Sequence, residues 1–332
     1  MRTSFAPAAD LLGQSAPLDE VLEVPLLGVP VVYRSNSAAV IATAASAFQR
    51  WRQLPPALID AGPAARVDVV VHLPGSAGLP LAHDERFVFR AHGRTFLAAA
   101  GASVLTAQLD HGYALAFVTP ALAADEASLR RNVLECLGFL LVNMRDRTPV
   151  HAAGVVRNGR AVLLVGASMA GKSTLCYACV RAGFSLLAED TVCVSLARGL
   201  RVWGHPGPIH LLPDAPRFFP ELAGIEPRML ANGKLKLTVD VSALGSERLV
   251  THAERVALCF VERSSGQASR LEPLPAVEAA AALSDPREPG FDLLRDQAPT
   301  VAAALAASGA YRLRVGSDPG TAVTLLKHLT DS

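Results

Sequence analysis

A phosphate-binding pattern occupies residues 166–173. The sequence Gly-Ala-Ser-Met-Ala-Gly-Lys-Ser matches Gly-x-x-x-x-Gly-Lys-Ser/Thr at every fixed position. The apolar run Ala161–Val165 precedes it, a helix-compatible run from Lys172 to Ala182 follows, and Gly183 is placed to end that helix. This strand, loop and helix predict a site for a nucleoside triphosphate. The predicted nucleotide-binding residues are Gly166, Ala167, Ser168, Met169, Ala170, Gly171, Lys172, Ser173 and Thr174.

The chemistry of this pattern is anion binding. Backbone N–H groups of such a loop turn inward, and the start of the helix adds its positive end. Gly171 allows the backbone to approach the phosphates closely. Lys172 can reach the β- and γ-phosphates, and the hydroxyl of Ser173 can bind Mg²⁺.

A hairpin precedes the loop. Asn158-Gly159 between apolar runs predicts a type I′ turn, so the strand that enters the loop should pair antiparallel with the strand before it. Counting outward from the turn places His151 opposite Gly166. This register suggests that His151 contacts a phosphate oxygen or orients a catalytic carboxylate; the alternative is a structural histidine.

Two adjacent acids follow the predicted helix. Glu189 and Asp190 end the short apolar segment Phe184–Ala188. Acids at the carboxyl end of a strand in a nucleotide site hold Mg²⁺ or accept a proton from the attacking hydroxyl. Neighbouring strand residues point to opposite faces, so the two acids should have different roles. The alternative is a solvated acidic turn.

These motifs resemble the HPr kinase/phosphorylase family and, more closely, its HPr-kinase-related members. The resemblance is carried by His151, the hairpin, the 166–174 loop and Ala188-Glu189-Asp190, and it covers residues 148–240. It implies a nucleotide-binding α/β core related to phosphoenolpyruvate carboxykinase, a symmetric homo-oligomer, and ATP-dependent phosphorylation of a serine hydroxyl.

The resemblance also implies roles for individual residues. Lys172 would bind the β- and γ-phosphates, Ser173 and Asp190 would bind Mg²⁺, and Glu189 would accept the proton. Glu189 replaces the family's aspartate, and Met169-Ala170 replaces a smaller pair. The family's downstream acidic-basic-glycine run has no clear counterpart, so HPr as substrate and the reverse phosphorolysis are not predicted.

Further candidate contacts lie beyond residue 203. Lys234 and Lys236 follow an Asn-Gly turn and could stabilise the transferring phosphoryl group, or they could be lysines of a solvated strand edge. The Pro-rich stretch 204–221 is predicted to be irregular and to lie over the site, with His205, His210 and Arg217 as candidate contacts.

Length, composition and net charge limit the classes of protein to which the chain can belong. The length of 332 residues predicts two domains, taken as an N-terminal α/β module over 1–147 and a catalytic domain over 148–332, and the apolar fraction of 51% is ample for their buried cores. The net charge of +1 predicts neither a nucleic-acid nor a membrane partner. The chain has no long apolar run and no apolar leader, so a cytoplasmic location is expected. Cys176 and Cys179 are expected to be core residues.

The sequence also predicts individual elements outside the nucleotide core. In the N-terminal module these are strands at 26–33, 67–72, 86–90, 95–98 and 114–118, with helices at 38–51 and 125–144. Beyond residue 255 they are strands at 256–261 and 311–315, with helices at 277–283, 300–308 and 321–329.

Three functions remain at this stage. The first is a kinase that uses ATP and Mg²⁺ to phosphorylate a serine hydroxyl on a protein, a precursor peptide or a small molecule. The second is a nucleotide-dependent regulatory or binding module with little or no phosphotransfer. The third, plain nucleotide hydrolysis that drives mechanical work, is disfavoured by the hairpin entry and the absence of a separate Walker B strand.

Overall fold

The chain forms two mixed α/β units, Met1–Arg145 and Asp146–Ser332. The computed structural model describes residues 17–72, 87–230, 233–245, 248–264, 268–284 and 297–331. Within these ranges no helix is both long enough and apolar enough to cross a bilayer.

The N-terminal unit is built on a seven-stranded sheet of order β1-β2-β3-β7-β6-β5-β4. Helix α1 contacts β1 and β2, and α4 contacts β1, β3 and β7. Its strands are β1 (Glu20–Leu26), β2 (Val29–Ser35), β3 (Ala65–Val71), β4 (Val88–His92), β5 (Thr95–Ala100), β6 (Ser103–Gln108) and β7 (Tyr113–Val118). Its helices are α1 (Ala38–Ala47), α2 (Pro120–Ala124), α3 (Glu126–Ser128) and α4 (Cys136–Asn143), with a π-helical segment (Leu129–Glu135) and 3₁₀ turns at Trp51–Gln53, Pro56–Leu58 and Leu109–His111.

Three predictions for this unit need correction. The single strand predicted at 26–33 is a hairpin, because Leu27 and Gly28 adopt φ of 50° and 80° and reverse the chain between β1 and β2. The single helix predicted at 125–144 contains the π-helical segment. Strand β6 was not predicted, and Arg86, the predicted start of β4, lies outside the described residues.

The described residues of the C-terminal unit form three sheets. Their strands are β8 (Thr148–His151), β9 (Ala153–Arg157), β10 (Arg160–Val165), β11 (Ser185–Ala188), β12 (Thr191–Ser195), β13 (Arg201–Gly204), β14 (Ile209–Leu211), β15 (Arg228–Met229), β16 (Leu235–Val239), β17 (His252–Ala253), β18 (Arg255–Arg263), β19 (Arg270–Pro273) and β20 (Ala310–Val315). The helices are α5 (Lys172–Arg181), α6 (Ala276–Ser284), α7 (Ala298–Ala307) and α8 (Pro319–Asp331), with 3₁₀ turns at Ala215–Arg217, Pro220–Leu222 and Val241–Leu244.

The central sheet has the order β11-β9-β10-β18-β20-β19. Asn158 and Gly159 adopt φ of 51° and 72°, and β9 pairs antiparallel with β10 in the register that the turn predicts, Arg157 opposite Arg160. On its other side β10 pairs parallel with β18, which pairs parallel with β20. The strand that enters the phosphate loop therefore has one antiparallel and one parallel neighbour.

Both faces of the central sheet are buried, which explains the continuous apolar run of β10. Val162 and Leu164 pack on one side with α5, α8 and the three-stranded sheet β14-β16-β15. Ala161 and Leu163 pack on the other side with α6, α7 and the four-stranded sheet β17-β13-β12-β8. The phosphate loop and its helix are thus held by a three-layered core.

The predicted register fails at His151. Pairing between β9 and β10 ends with Ala153 opposite Leu164. His151 belongs to β8, in the four-stranded sheet, and pairs with Thr191 of β12 instead of lying opposite Gly166. The chain changes sheets at Ala152, which a residue count from the turn cannot detect.

We predict that Gly204→Ala destabilises the C-terminal unit. A Cβ at Gly204 would lie 2.1 Å from the carbonyl oxygen of Leu187, where two sheets cross. Overpacking of this kind typically costs about 1–3 kcal/mol, so the free energy of unfolding from urea titrations should fall by at least this much. Gly224→Ala is the matched control, because a Cβ there meets nothing within 4 Å. Equal stability of the two variants would contradict the packing.

Candidate nucleotide site

The candidate site lies at one edge of the central sheet. Strand β9 is antiparallel to both β10 and β11, so β10 and β11 run in the same direction, as does β18. The carboxyl ends of these three strands therefore meet at one edge, where α/β sheets bind ligands. The phosphate loop follows β10, the two acids follow β11, and Glu262 and Arg263 end β18.

The loop between β10 and α5 depends on close backbone packing. A Cβ at Gly166 would lie 2.7 Å from the carbonyl oxygen of Val261, so the loop begins in direct contact with β18. Gly171 adopts φ of 100° immediately before α5. Met169 adopts φ of 68°, which is uncommon for a residue with a side chain, and it is 71% exposed at the loop tip.

The remaining residues of the loop differ in how far they are exposed. Ala167 and Ser168 are exposed, whereas Ala170 is half-buried. The N–H of Ala170 donates to the carbonyl of Ala167, which closes a turn within the loop. Thr174 is half-buried in the first turn of α5.

Lys172 lies across the loop. Its side chain is buried, and Nζ donates to the carbonyl oxygens of Gly166 at 2.9 Å and Ala167 at 3.2 Å. These bonds hold the ammonium group inside the concave side of the loop. Phosphate oxygens entering the loop would meet a cation that is already positioned.

Ser173 and Glu189 are joined directly. The Ser173 hydroxyl donates to Oε1 of Glu189 at 2.7 Å, and Nδ1 of His210 lies 3.6 Å from Oε2 of the same carboxylate. Ser173, which the sequence analysis grouped with Asp190 around a metal ion, is therefore bonded to Glu189 instead. Glu189 reaches Ser173 because the chain leaves β11 at the sheet edge that also carries the loop.

The pKa of Glu189 reflects opposing effects. Burial alone would raise it, but hydrogen bonding to His210 and Ser173, together with the electrostatic effects of His210 and Lys236, lowers it below its ordinary value of 4.5. Glu189 is therefore an ionised carboxylate at neutral pH.

Asp190 points to a different partner. Its Oδ1 atom lies 3.4 Å from Nδ1 of His151, and both side chains are substantially exposed, at 62% and 45%. The two acids thus diverge, as the alternation of strand side chains predicts. His151 therefore still lies beside one of the two predicted catalytic acids. The pairing of β8 with β12, rather than the hairpin, brings it there.

The predicted downstream contacts differ in position. Lys236 is half-buried on β16 and close enough to influence the pKa of Glu189. Lys234 is exposed just before β16, and Asn232 of the predicted turn lies outside the described residues. His205 is half-buried directly after β13. Arg217 is exposed and pairs with Asp214 at 3.2 Å.

His210, one of three candidate contacts in the Pro-rich stretch, lies next to Glu189, and Arg263 was not predicted. The stretch predicted to be irregular contains β14, in which His210 alternates with buried Ile209 and Leu211. That alternation is a readable signal that His210 faces away from the core. The strand predicted at 256–261 stops two residues short of Arg263, with which β18 ends; proximity to the carboxyl end of a predicted strand was the available signal.

The donors present suit a magnesium ion that also binds phosphate. Among the described residues no group of three or more His, Cys, Asp or Glu side chains could hold a metal ion. Magnesium does not need such a cage, since it is commonly bound by one or two carboxylates together with substrate phosphates. The hydroxyl of Ser173 and the carboxylate of Glu189 are oxygen donors of this kind, 2.7 Å apart.

No protein-family model and no curated protein matches the chain. A solved structure, described as the Hpr(Ser) kinase/phosphatase from Coxiella burnetii, is a weak structural neighbour with 16% identity and a TM-score of 0.28. The match covers 55% of this chain and 95% of that one. At this TM-score it carries no inference, so function is inferred from the site geometry.

We predict a specific acid dependence of stability. Because the pKa of Glu189 is lowered in the folded state, the ionised group contributes stability that is lost as pH falls through the folded pKa. Between about pH 5 and pH 3 the free energy of unfolding should therefore fall more steeply for the wild type than for Glu189→Gln. Urea titrations at several pH values measure this slope. The exposed Glu226→Gln should keep the wild-type slope, and an unchanged slope in Glu189→Gln would refute the coupling.

Proposed function

We propose that the chain is a phosphotransferase that uses ATP and Mg²⁺ to phosphorylate a serine hydroxyl. The observation that carries the proposal is the bond between Ser173 and Glu189, beside the buried ammonium of Lys172. It joins the phosphate loop to an ionised carboxylate at the carboxyl edge of the sheet. Phosphoryl transfer needs this combination of anion binding, metal ligands and positioning.

The phosphates of ATP would enter the loop between Gly166 and Thr174. The inward N–H groups and the start of α5 would bind their oxygens. Lys172 would exchange its bonds to the loop carbonyls for bonds to the β- and γ-phosphates, which places its charge where the transition state is negative. Ser173 and Glu189 would hold Mg²⁺, which neutralises negative charge on the phosphates.

The two acids would divide the remaining work. Glu189 has a lowered pKa and touches Ser173, which suits a metal ligand better than a proton acceptor. Asp190 is exposed and lies beside His151, so an incoming hydroxyl can reach it. We therefore assign proton acceptance to Asp190, with His151 orienting it, and metal binding to Glu189. This exchanges the roles that the resemblance implied.

The acceptor would approach from the solvent side of Asp190. Half-buried Lys236 would stabilise the transferring phosphoryl group, because its charge already acts on Glu189. The N-terminal unit would recruit a protein or precursor peptide; a small molecule such as free serine is the other acceptor class.

Phosphoryl transfer is the first property to test. The protein is incubated with ATP, Mg²⁺ and candidate acceptors, namely free serine and the peptides and proteins encoded beside its gene, and products are analysed by mass spectrometry. One acceptor should gain a single phosphoryl group on a hydroxyl. Lys172→Ala should abolish the gain while leaving the fold intact, because the phosphates lose their positioned cation. Full activity of this variant would refute the assignment, and tight ATP binding without transfer would support the regulatory alternative.

The exchange of roles is tested by neutralising each acid. Asp190→Asn should lower kcat by about 10²–10⁴-fold with little change in ATP affinity, as expected for loss of a proton acceptor. Glu189→Gln should instead raise the Mg²⁺ concentration needed for half-maximal activity. Asp214→Asn, on the exposed segment after β14, is the control and should match the wild type. The opposite pattern, with Mg²⁺ dependence shifted only in Asp190→Asn, would restore the roles implied by the resemblance.

A further inference from the structure

Arg263 lies beside the phosphate loop. It is the last residue of β18, and its Nε atom is 3.8 Å from the position that a Cβ would occupy at Gly171. Gly171 immediately precedes Lys172 and α5. The guanidinium group therefore borders the start of α5, where backbone N–H groups would bind an anion.

The sheet explains this position. Strand β10 ends with Val165 opposite Phe260, whereas β18 continues as far as Arg263. The contact between Gly166 and the carbonyl of Val261 holds the loop against this extension. The location of Arg263 is thus set by main-chain pairing and packing rather than by a flexible surface segment.

The surrounding charges leave Arg263 available for an anion. The neighbouring Glu262 interacts with Arg312 at 3.3 Å and Arg314 at 3.8 Å. No described residue forms an ion pair with Arg263, which is exposed. An arginine is always charged, and its planar group matches phosphate oxygens in a bidentate manner.

We propose that Arg263 is a second phosphate-binding cation, which acts on the polyphosphate of the nucleotide together with Lys172. The inference rests on the proposed function. It adds a phosphate-binding residue from β18, a strand that lies outside the sequence motif at 166–173. Lys172 reaches the phosphates from within the loop, and Arg263 reaches them from the neighbouring strand. The ligand is a nucleoside triphosphate rather than the hydroxyl acceptor, because Arg263 borders the loop itself.

The expected effect is a loss of nucleotide affinity. Hydrogen bonds to charged groups contribute about 1.5–3 kcal/mol, so Arg263→Gln should weaken ATP binding by about 10–100-fold. Arg263→Lys should recover part of this loss, because it retains the charge but not the bidentate group. The side chain is exposed, so both variants should keep the wild-type melting temperature.

Calorimetric titration of the full chain with ATP and Mg²⁺ tests the inference. Arg255→Gln is the matched control, since it removes the same charge from the opposite end of β18, where Arg255 is also exposed. Weakened binding in Arg263→Gln, with wild-type binding in Arg255→Gln, is the expected result. Wild-type affinity in Arg263→Gln, while Lys172→Ala loses binding, would overturn this inference and leave the proposed function standing. No ATP binding by the wild type would instead overturn the proposed function.

Discussion

The parallel alignment of β10, β11 and β18 is the constraint on which the candidate site depends. It brings three carboxyl ends to one sheet edge, so that the phosphate loop, Glu189 and Arg263 become neighbours although they are distant in sequence. The contact of Gly166 with the carbonyl of Val261 fixes how closely two of these ends approach. Single side chains in the site can vary while this alignment persists, but a shift of register would separate the loop from its acids.

Electrostatics then gives two adjacent acids different properties. Glu189 is largely buried but stays ionised, because Ser173, His210 and Lys236 compensate for the lost hydration. Asp190 lies mainly in water beside His151. Two residues adjacent in sequence thus differ: the carboxylate of Glu189 suits metal binding, and that of Asp190 suits proton acceptance. The distinction arises from the environment, since the two side chains have nearly the same chemistry.

Short sequence patterns predicted those parts of the site whose residues lie within a few positions of each other along the chain. The 166–173 motif and the turn at Asn158 and Gly159 fix backbone conformation within a few residues, and the hairpin register next to the turn is confirmed. The position of His151 was predicted wrongly, because the chain leaves one sheet for another at Ala152. The approach of His210 to Glu189 and of Arg263 to Gly171 depends on strand order, which periodicity in one sequence does not encode.

The mixed pairing of β10 has a kinetic consequence. Its antiparallel partner β9 adjoins it through a two-residue turn, whereas its parallel partner β18 lies far along the chain. Local hairpins close within microseconds, while distant pairing must first overcome a larger loss of chain entropy. Strand β10 can therefore be paired on one side before the strand that supports its loop arrives. During synthesis the loop would emerge from the ribosome before Val261 does, and its contact with β18 would form only after that strand has been made.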